Sequence, residues 1–131
     1  MNENDKPLEW VGGAKADLME FPLEVRRTVG RALRFAQKGS SDESSVKPLK
    51  GFGGAGVLEV VESFQKNAYR CVYTVRLASA IYVLHCFQKK SHSGRKTDKG
   101  DIELVRSRLK TAQEIEKQKE ERAKREKGKQ P

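Results

Sequence analysis

The residues that could do chemistry in this 131-residue chain are cations gathered in its middle. Residues 46–96 contain nine lysines and arginines but only two acidic residues, so they carry a net charge of +7 out of +9 for the whole chain. Both histidines, His85 and His92, also lie there, and histidine titrates near neutral pH without help. A local cationic excess attracts polyanions, which include nucleic acids, free phosphates and acidic proteins. The charge alone does not choose among these partners.

Composition excludes several classes of protein. Hydrophobic residues make up 36% of the chain and charged residues 34%, which is enough for one small core. The longest apolar run, residues 77–84, is far shorter than the about 18 residues of a membrane helix. The first residues have no basic leader followed by an apolar run, so we expect a cytoplasmic protein. Two cysteines, Cys71 and Cys86, are too few for a disulfide framework or a zinc site. We therefore expect both to be free thiols buried on strands.

Helices are predicted before the cationic segment. A short strand over 8–11 is followed by a short helix over 14–20 and a second helix over 22–38. Pro22 suits the first turn of the second helix, because proline lacks a backbone donor that this position does not need. One apolar stripe recurs at spacings of three or four residues, formed by Leu18, Val25, Val29, Leu33 and Ala36.

The middle of the chain predicts an antiparallel meander. Three runs with a period of two, over 57–63, 69–76 and 79–88, are rich in β-branched and aromatic residues. With a two-residue turn at Ala78 and Ser79, paired positions in the last two strands have numbers that sum to about 157. One face is then wholly apolar and packs on the helices, including Tyr82 and Leu84. The other face is predicted to be open and basic, with Arg70, Thr74, Arg76 and His85.

A last helix is predicted after a basic loop over 89–96. Asp98 is a plausible N-cap, and an apolar stripe comes after it at Ile102, Val105, Leu109 and Ala112. The stripe ends near residue 115. We therefore divide the chain into a folded domain, 1–115, and a charged segment, 116–131, which is either a solvated helical extension or a disordered tail.

The order of these elements resembles the phage-derived branch of the RelE/HigB family of bacterial toxins. The resemblance covers roughly residues 8–112 and is carried by KPLKG before the sheet, AYRCVYTV within it and LHCFQKKS at its end. It implies an α+β, RelE-like fold, with a small antiparallel sheet packed against N-terminal helices and a C-terminal helix. It also implies a toxin of a type II toxin–antitoxin system that cuts messenger RNA on the ribosome. The implied partners are mRNA, the ribosome and a cognate antitoxin, often a helix-turn-helix protein.

The family's chemistry is attack of a 2′-hydroxyl on the adjacent phosphorus, which needs a proton acceptor, cations and a proton donor. Residues 46–96 contain only Glu59 and Glu62, not the carboxylate cluster of a metal-dependent nuclease, so we expect no metal or other cofactor. Arg70 aligns with the family's catalytic arginine, which would clamp the phosphate. The candidate catalytic residues are Arg70, His85, Lys89, Lys90 and His92. The candidate RNA-binding residues are Lys47, Lys50, Arg76, Arg95 and Lys96.

Each assignment has a structural alternative. Arg70 could simply pair with Glu59 or Glu62, His85 could be a core histidine, and the lysines could be solvated. The chain also departs from the family at Glu59-Val60-Val61, where a basic residue is common. Two other functions therefore stay open: a non-catalytic RNA- or ribosome-binding relative of the toxins, and a module that binds an acidic protein.

Overall fold

The computed structural model of the chain describes residues 4–40, 45–90 and 98–128. Five strands form one sheet in the order β1-β5-β4-β3-β2. β1 runs parallel to β5, and the other neighbours are antiparallel, so the sheet is mixed. The elements are β1 (Leu8–Trp10), α1 (Ala14–Met19), α2 (Leu23–Gln37), β2 (Val46–Pro48), β3 (Val57–Phe64), β4 (Asn67–Thr74), β5 (Ile81–Lys90) and α3 (Lys99–Gly128).

The helices α1 and α2 cover one face of the sheet, as the sequence predicts. The predicted apolar stripe is buried, and Val25 and Val29 are fully inaccessible to solvent. These side chains pack with Val60, Cys71 and Tyr73 of the strands in one hydrophobic cluster. The spacing of three to four residues therefore does form the buried side of α2.

The register between β4 and β5 agrees with the prediction over most of their length. Paired positions sum to about 157 as far as Val72 opposite His85. A bulge then shifts the pairing by one residue, so Tyr73 lies opposite Val83. The predicted two-residue turn is wrong, because residues 75–80 separate the two strands. A bulge changes which sheet face the neighbouring side chains occupy, and Tyr82 and Leu84 therefore face away from α1 and α2.

The prediction of an open second face is wrong, because α3 packs against it. Val105 and Ala112 of α3 are fully buried and cluster with Val72, Tyr82 and Leu84. Every side chain from Ile81 to Phe87 is buried. The physical reason is the position of β5 inside the sheet with helices on both faces, where a strand is apolar without alternation.

The two cysteines lie opposite each other on β4 and β5, where the predicted register placed them. Both are free thiols and both are buried. The hydrogen bond with Cys86, together with burial, raises the pKa of the Cys71 thiol well above its usual value. The Cys71 thiol therefore stays protonated at neutral pH, and both buried cysteines belong to the core rather than to any nucleophilic site.

Polar contacts hold α3 to the sheet beyond Ile115, where its apolar stripe was predicted to end. The Glu116 carboxylate accepts hydrogen bonds from the backbone N–H and hydroxyl of Ser79 and, at 3.1 Å, from the Tyr82 hydroxyl. Lys119 donates to Glu9 at 2.9 Å and lies over the Tyr82 ring. Burial opposes ionisation of Glu116, but the hydrogen bonds from Ser79 and Tyr82 outweigh it and lower the pKa of this carboxyl.

We expect Glu116→Ala to lower the free energy of unfolding by about 1–3 kcal/mol at pH 7, because it leaves buried donors without an acceptor. The exposed neighbour Lys117 provides the control, and Lys117→Ala is expected to cost less than about 0.5 kcal/mol. Because the folded pKa of Glu116 is depressed, its stabilisation is present above the unfolded pKa of about 4.3 and is lost as pH falls through the folded value. Urea denaturation at pH 7 measures the loss of stability, and the same experiment at pH 3 is expected to show a smaller loss for Glu116→Ala. Equal losses for Glu116→Ala and Lys117→Ala at pH 7 would contradict the role of Glu116.

Candidate functional site

Three polar side chains share the sheet face that α3 covers. Glu59 on β3 lies opposite Val72 on β4, which in turn lies opposite His85 on β5. Arg70 lies on the neighbouring cross-strand row of the same face, between Val61 and Phe87. Two strand spacings separate Glu59 from His85, which is about 10 Å between Cα atoms. The sheet thus places a carboxylate and an imidazole on either side of a guanidinium.

Arg70 and Glu59 form a buried ion pair. The Arg70 Nη1 atom lies 3.0 Å from each Glu59 carboxylate oxygen. Arg70 is 1% exposed and Glu59 is 3% exposed, so neither faces open solvent. The structural alternative for Arg70, pairing with Glu59, is therefore what the structure has. Glu62 lies opposite Tyr69 on the other face and takes no part in this pair.

Lys47 forms the exposed edge of this pair. Its Nζ atom lies 3.7 Å from Glu59 Oε1, and its side chain is 55% exposed. The short strand β2 places it there, because Lys47 lies opposite Glu59 in the register of β2 and β3. An anion arriving from solvent therefore meets Lys47 before it reaches Glu59.

His85 is fixed by a carboxylate and an aromatic ring. Its Nε2 atom lies 2.8 Å from Asp101 Oδ1, and its ring stacks on Phe87 at 4.5 Å between centroids. Asp101 comes from the first turn of α3. His85 Nδ1 is buried and has no hydrogen-bond partner among residues 4–40, 45–90 and 98–128. One ring nitrogen is thus held by Asp101, whereas the other is buried without a partner among the described residues.

Lys89 extends the cationic side of the site along β5. It lies opposite Ala68, two positions beyond the pair of Arg70 and Phe87, and so shares their face. Its Nζ atom is 3.3 Å from Asp98 Oδ1, and its side chain is 11% exposed. Two carboxylates of the α3 start, Asp98 and Asp101, therefore pair with two predicted site residues.

The other predicted site residues are placed elsewhere or are not described. Lys50 is exposed in the connection after β2, and Arg76 is exposed after β4, where its side chain packs on Gly56. Lys90 lies at the end of β5, but its side chain is not described. Three further candidates lie outside the described residues altogether: His92, Arg95 and Lys96.

Asp101 was not predicted as a partner of His85, and Glu59 was predicted only as one of two structural partners of Arg70. A signal for Glu59 existed, because a carboxylate in the middle of an otherwise apolar strand requires a partner when the strand is buried. The basic residue expected from the resemblance is missing from Glu59-Val60-Val61, and Val61 lies opposite Arg70. Val60 faces the α1 and α2 core and is fully buried, so it could not carry that charge on the site face.

Two kinds of feature were sought in the described part of the chain, metal-binding groups and membrane-spanning helices. It contains no group of three or more histidine, cysteine or acidic residues placed to hold a metal ion. None of its helices combines the length and apolar character needed to cross a bilayer.

Comparison with known proteins decides the family. The family described as "Phage derived protein Gp49-like (DUF891)" matches residues 16–110, which is most of the chain. This chain belongs to the Gp49-like family. No curated protein matches it significantly.

Two solved structures resemble this Gp49-like chain. One is a free-state mutant of the Escherichia coli toxin RelE, with 15% identity and a TM-score of 0.51, covering 82% of this chain and 97% of RelE. Another is the toxin–antitoxin complex RelBE2 of Mycobacterium tuberculosis, with 19% identity and a TM-score of 0.40, covering 69% of this chain and 98% of the other. The RelE match at this identity establishes the fold, and the predicted RelE-like α+β class and the resemblance to RelE/HigB are confirmed.

Proposed function

We propose that this Gp49-like chain is the toxin of a type II toxin–antitoxin pair and cleaves messenger RNA on the ribosome. The observation that carries the proposal is the placement of Glu59, Arg70 and His85 on one sheet face. The net charge of +7 on residues 46–96 and the RelE fold support it. In this proposal, the protein partner of the chain is a cognate antitoxin of the helix-turn-helix type. Because mRNA and ribosomes are its targets, the toxin acts in the cytoplasm.

In the proposed reaction, the 2′-oxygen attacks the adjacent phosphorus while its proton passes to the Glu59 carboxylate, which the RNA approaches from the edge where Lys47 is exposed. The bond from phosphorus to the 5′-oxygen breaks, and His85 gives a proton to that oxygen. The products are a 2′,3′-cyclic phosphate and a 5′-hydroxyl, so no metal-bound water is required. Glu59 and Glu62 lie on opposite sheet faces, which further argues against a shared metal between them.

The cationic side chains of the site have two different roles in this proposal. Lys47 is exposed beside Glu59, and Lys89 extends the same face, so these two are the proposed phosphate contacts. Arg70 is buried against Glu59, and we assign it as a positioning residue that fixes the orientation of this carboxylate. This replaces the direct phosphate clamp that the resemblance to the toxin family implies for Arg70.

Induced expression in bacteria, with transcript ends mapped on translated and untranslated RNA, tests the proposal. We expect growth arrest and new ends within translated mRNA. Lys47→Gln is expected to weaken the arrest and to reduce cutting by about tenfold, since it removes one exposed phosphate contact. Lys38→Gln, an exposed lysine at the end of α2, is the control. Absence of new ends at any level of expression would contradict the proposal.

The burial of Arg70 and Glu59 favours a second candidate function, a non-catalytic RNA- or ribosome-binding relative. It predicts RNA binding that weakens steeply with salt, because phosphate contacts release counterions. It also predicts no cut products. The same transcript mapping therefore separates the two candidates.

A further inference from the structure

One side of α3 carries a continuous row of exposed cations. We call it the α3 basic stripe, and it consists of Lys99, Arg106, Lys110, Lys117 and Lys124, all exposed. At 3.6 residues per turn these positions fall within an arc of about 40°. The row is about 38 Å long at 1.5 Å per residue. No acidic residue falls within this arc along α3.

The α3 basic stripe lies outside the side of the helix that packs on the sheet. The buried side of α3 is formed by Val105, Ala112 and Glu116. Helical geometry turns the stripe by about 100° to 140° from Val105, so it faces solvent beside the sheet. Arg106, within the stripe, donates to the Gly51 carbonyl at 3.2 Å and lies over the Phe52 ring, which brings the stripe next to exposed Lys50.

Two of the five stripe residues lie beyond the segment that the family model matches. The family match ends at residue 110, and the RelE match uses 97% of RelE but only 82% of this chain. Lys117 and Lys124 come after residue 110 and belong to the extension of α3. The full stripe is therefore a property of this chain that the family match does not account for.

The geometry points to the α3 basic stripe as a binding site for the phosphate backbone of structured, double-stranded RNA. Five charges along a straight rod suit a regular polyanion. Single-stranded RNA is bound through aromatic side chains that stack on its bases, and α3 contains no aromatic residue. Double-stranded RNA is instead recognised through its backbone and shape.

An acidic protein is the competing occupant, and the surface disfavours it. Stable protein interfaces have an apolar or aromatic centre. From Lys117 to Gly128 the helix is exposed apart from Lys119, and its side chains are charged or polar except Ala123 and Gly128. The choice of RNA as the polyanion rests on the proposed function, whereas the location of the stripe does not.

A pair of charge-matched variants tests the stripe. Lys117→Gln/Lys124→Gln removes two stripe charges, and Arg122→Gln/Arg125→Gln removes two charges from the same turns on another side of α3. All four residues are exposed, so both variants are expected to keep the wild-type fold by circular dichroism. Each is made in the full chain carrying His85→Gln, so that binding is measured without cleavage.

The probe is a blunt RNA duplex of about 16 base pairs, which matches the span of a double-stranded-RNA domain. Its affinity is measured by fluorescence anisotropy between about 50 and 200 mM KCl. We expect the stripe variant to bind the duplex at least about tenfold more weakly, and the slope of log affinity against log salt concentration to fall by about two units. The control variant is expected to change the affinity by less than about threefold and the slope by less than about one unit.

Several results would overturn the α3 site. They are equal losses in both variants, no loss in either, tighter binding of a single-stranded oligouridine, or stripe-dependent binding of polyglutamate as tight as that of RNA. Failure of the proposed function is a separate result, since it appears as missing cleavage by the chain that retains His85. If the parent chain does not cleave RNA but the stripe variant binds the duplex weakly, the α3 site is supported and the proposed function is contradicted.

Discussion

Arg70→Ala is expected to lower the free energy of unfolding by about 3–5 kcal/mol, because it leaves the Glu59 carboxylate buried without its cation. The effect is large against the about 5–15 kcal/mol that stabilises a typical domain. Urea denaturation followed by far-UV circular dichroism measures it. Arg31→Ala, at an exposed position of α2, is the control and is expected to change stability by less than about 0.5 kcal/mol.

A double variant distinguishes two causes of the stability loss in Arg70→Ala: the unpaired Glu59 charge and the missing side-chain volume. Glu59→Gln/Arg70→Met removes both charges and keeps similar side-chain volumes, so we expect it to regain most of the stability lost in Arg70→Ala. If Arg70→Ala were no less stable than Arg31→Ala, the buried ion pair would be contradicted. Because Arg70→Ala acts on folding, loss of toxicity in that variant alone does not identify a catalytic role.

His85→Gln is expected to slow RNA cleavage by about 10²- to 10⁴-fold, which is the usual contribution of a general acid or base. The amide of glutamine can still contact Asp101, so the loss reflects proton transfer rather than unfolding. Single-turnover cleavage of ribosome-bound mRNA measures the rate. Gln88→Ala, an exposed position on the same strand, is the control and is expected to cleave at the wild-type rate.

Asp101→Asn distinguishes a catalytic from a positioning residue in this pair. It keeps the imidazole but weakens the contact at Nε2, so we expect a smaller loss of rate than for His85→Gln and a changed pH–rate profile. Equal rates for wild type and His85→Gln would remove His85 from the mechanism.

The sequence predicts those parts of the fold that depend on local periodicity. The spacing of Val25, Val29 and Leu33 predicts α2, and the structure places it at Leu23–Gln37. The alternation of the central strands predicts their pairing, including Cys71 opposite Cys86. Both arise from the 3.6-residue and two-residue periods of helices and strands.

Features that depend on contacts between residues distant in sequence are not predicted by local periodicity. The three-residue strand β2 is too short for a period to show, although it places Lys47 beside Glu59. The bulge after Val72 depends on the whole β4–β5 connection rather than on any local pattern. Strand alternation also does not tell which face α3 covers, and the continuous apolar run from Ile81 to Leu84 was the available sign that both faces are buried.

The candidate site is predictable by residue type but not by role. Arg70 and His85 are identified from the sequence and do share a sheet face. Their partners Glu59 and Asp101 lie 11 and 16 residues away in sequence. The sequence left Glu59 as one of two possible partners of Arg70 and offered no partner for His85. The Glu116 network, 34 residues from Tyr82, likewise extends the α3 contact past the predicted end of its stripe.

The chemical ends of the cut RNA test the central claim most directly. mRNA incubated with ribosomes and the full chain is expected to yield fragments with a 2′,3′-cyclic phosphate on one side and a 5′-hydroxyl on the other. Glu59→Gln and His85→Gln are expected to yield neither above background. Fragments with a 5′-phosphate, or undiminished cutting by both variants, would contradict the account of a carboxylate and an imidazole acting across the β3–β5 face.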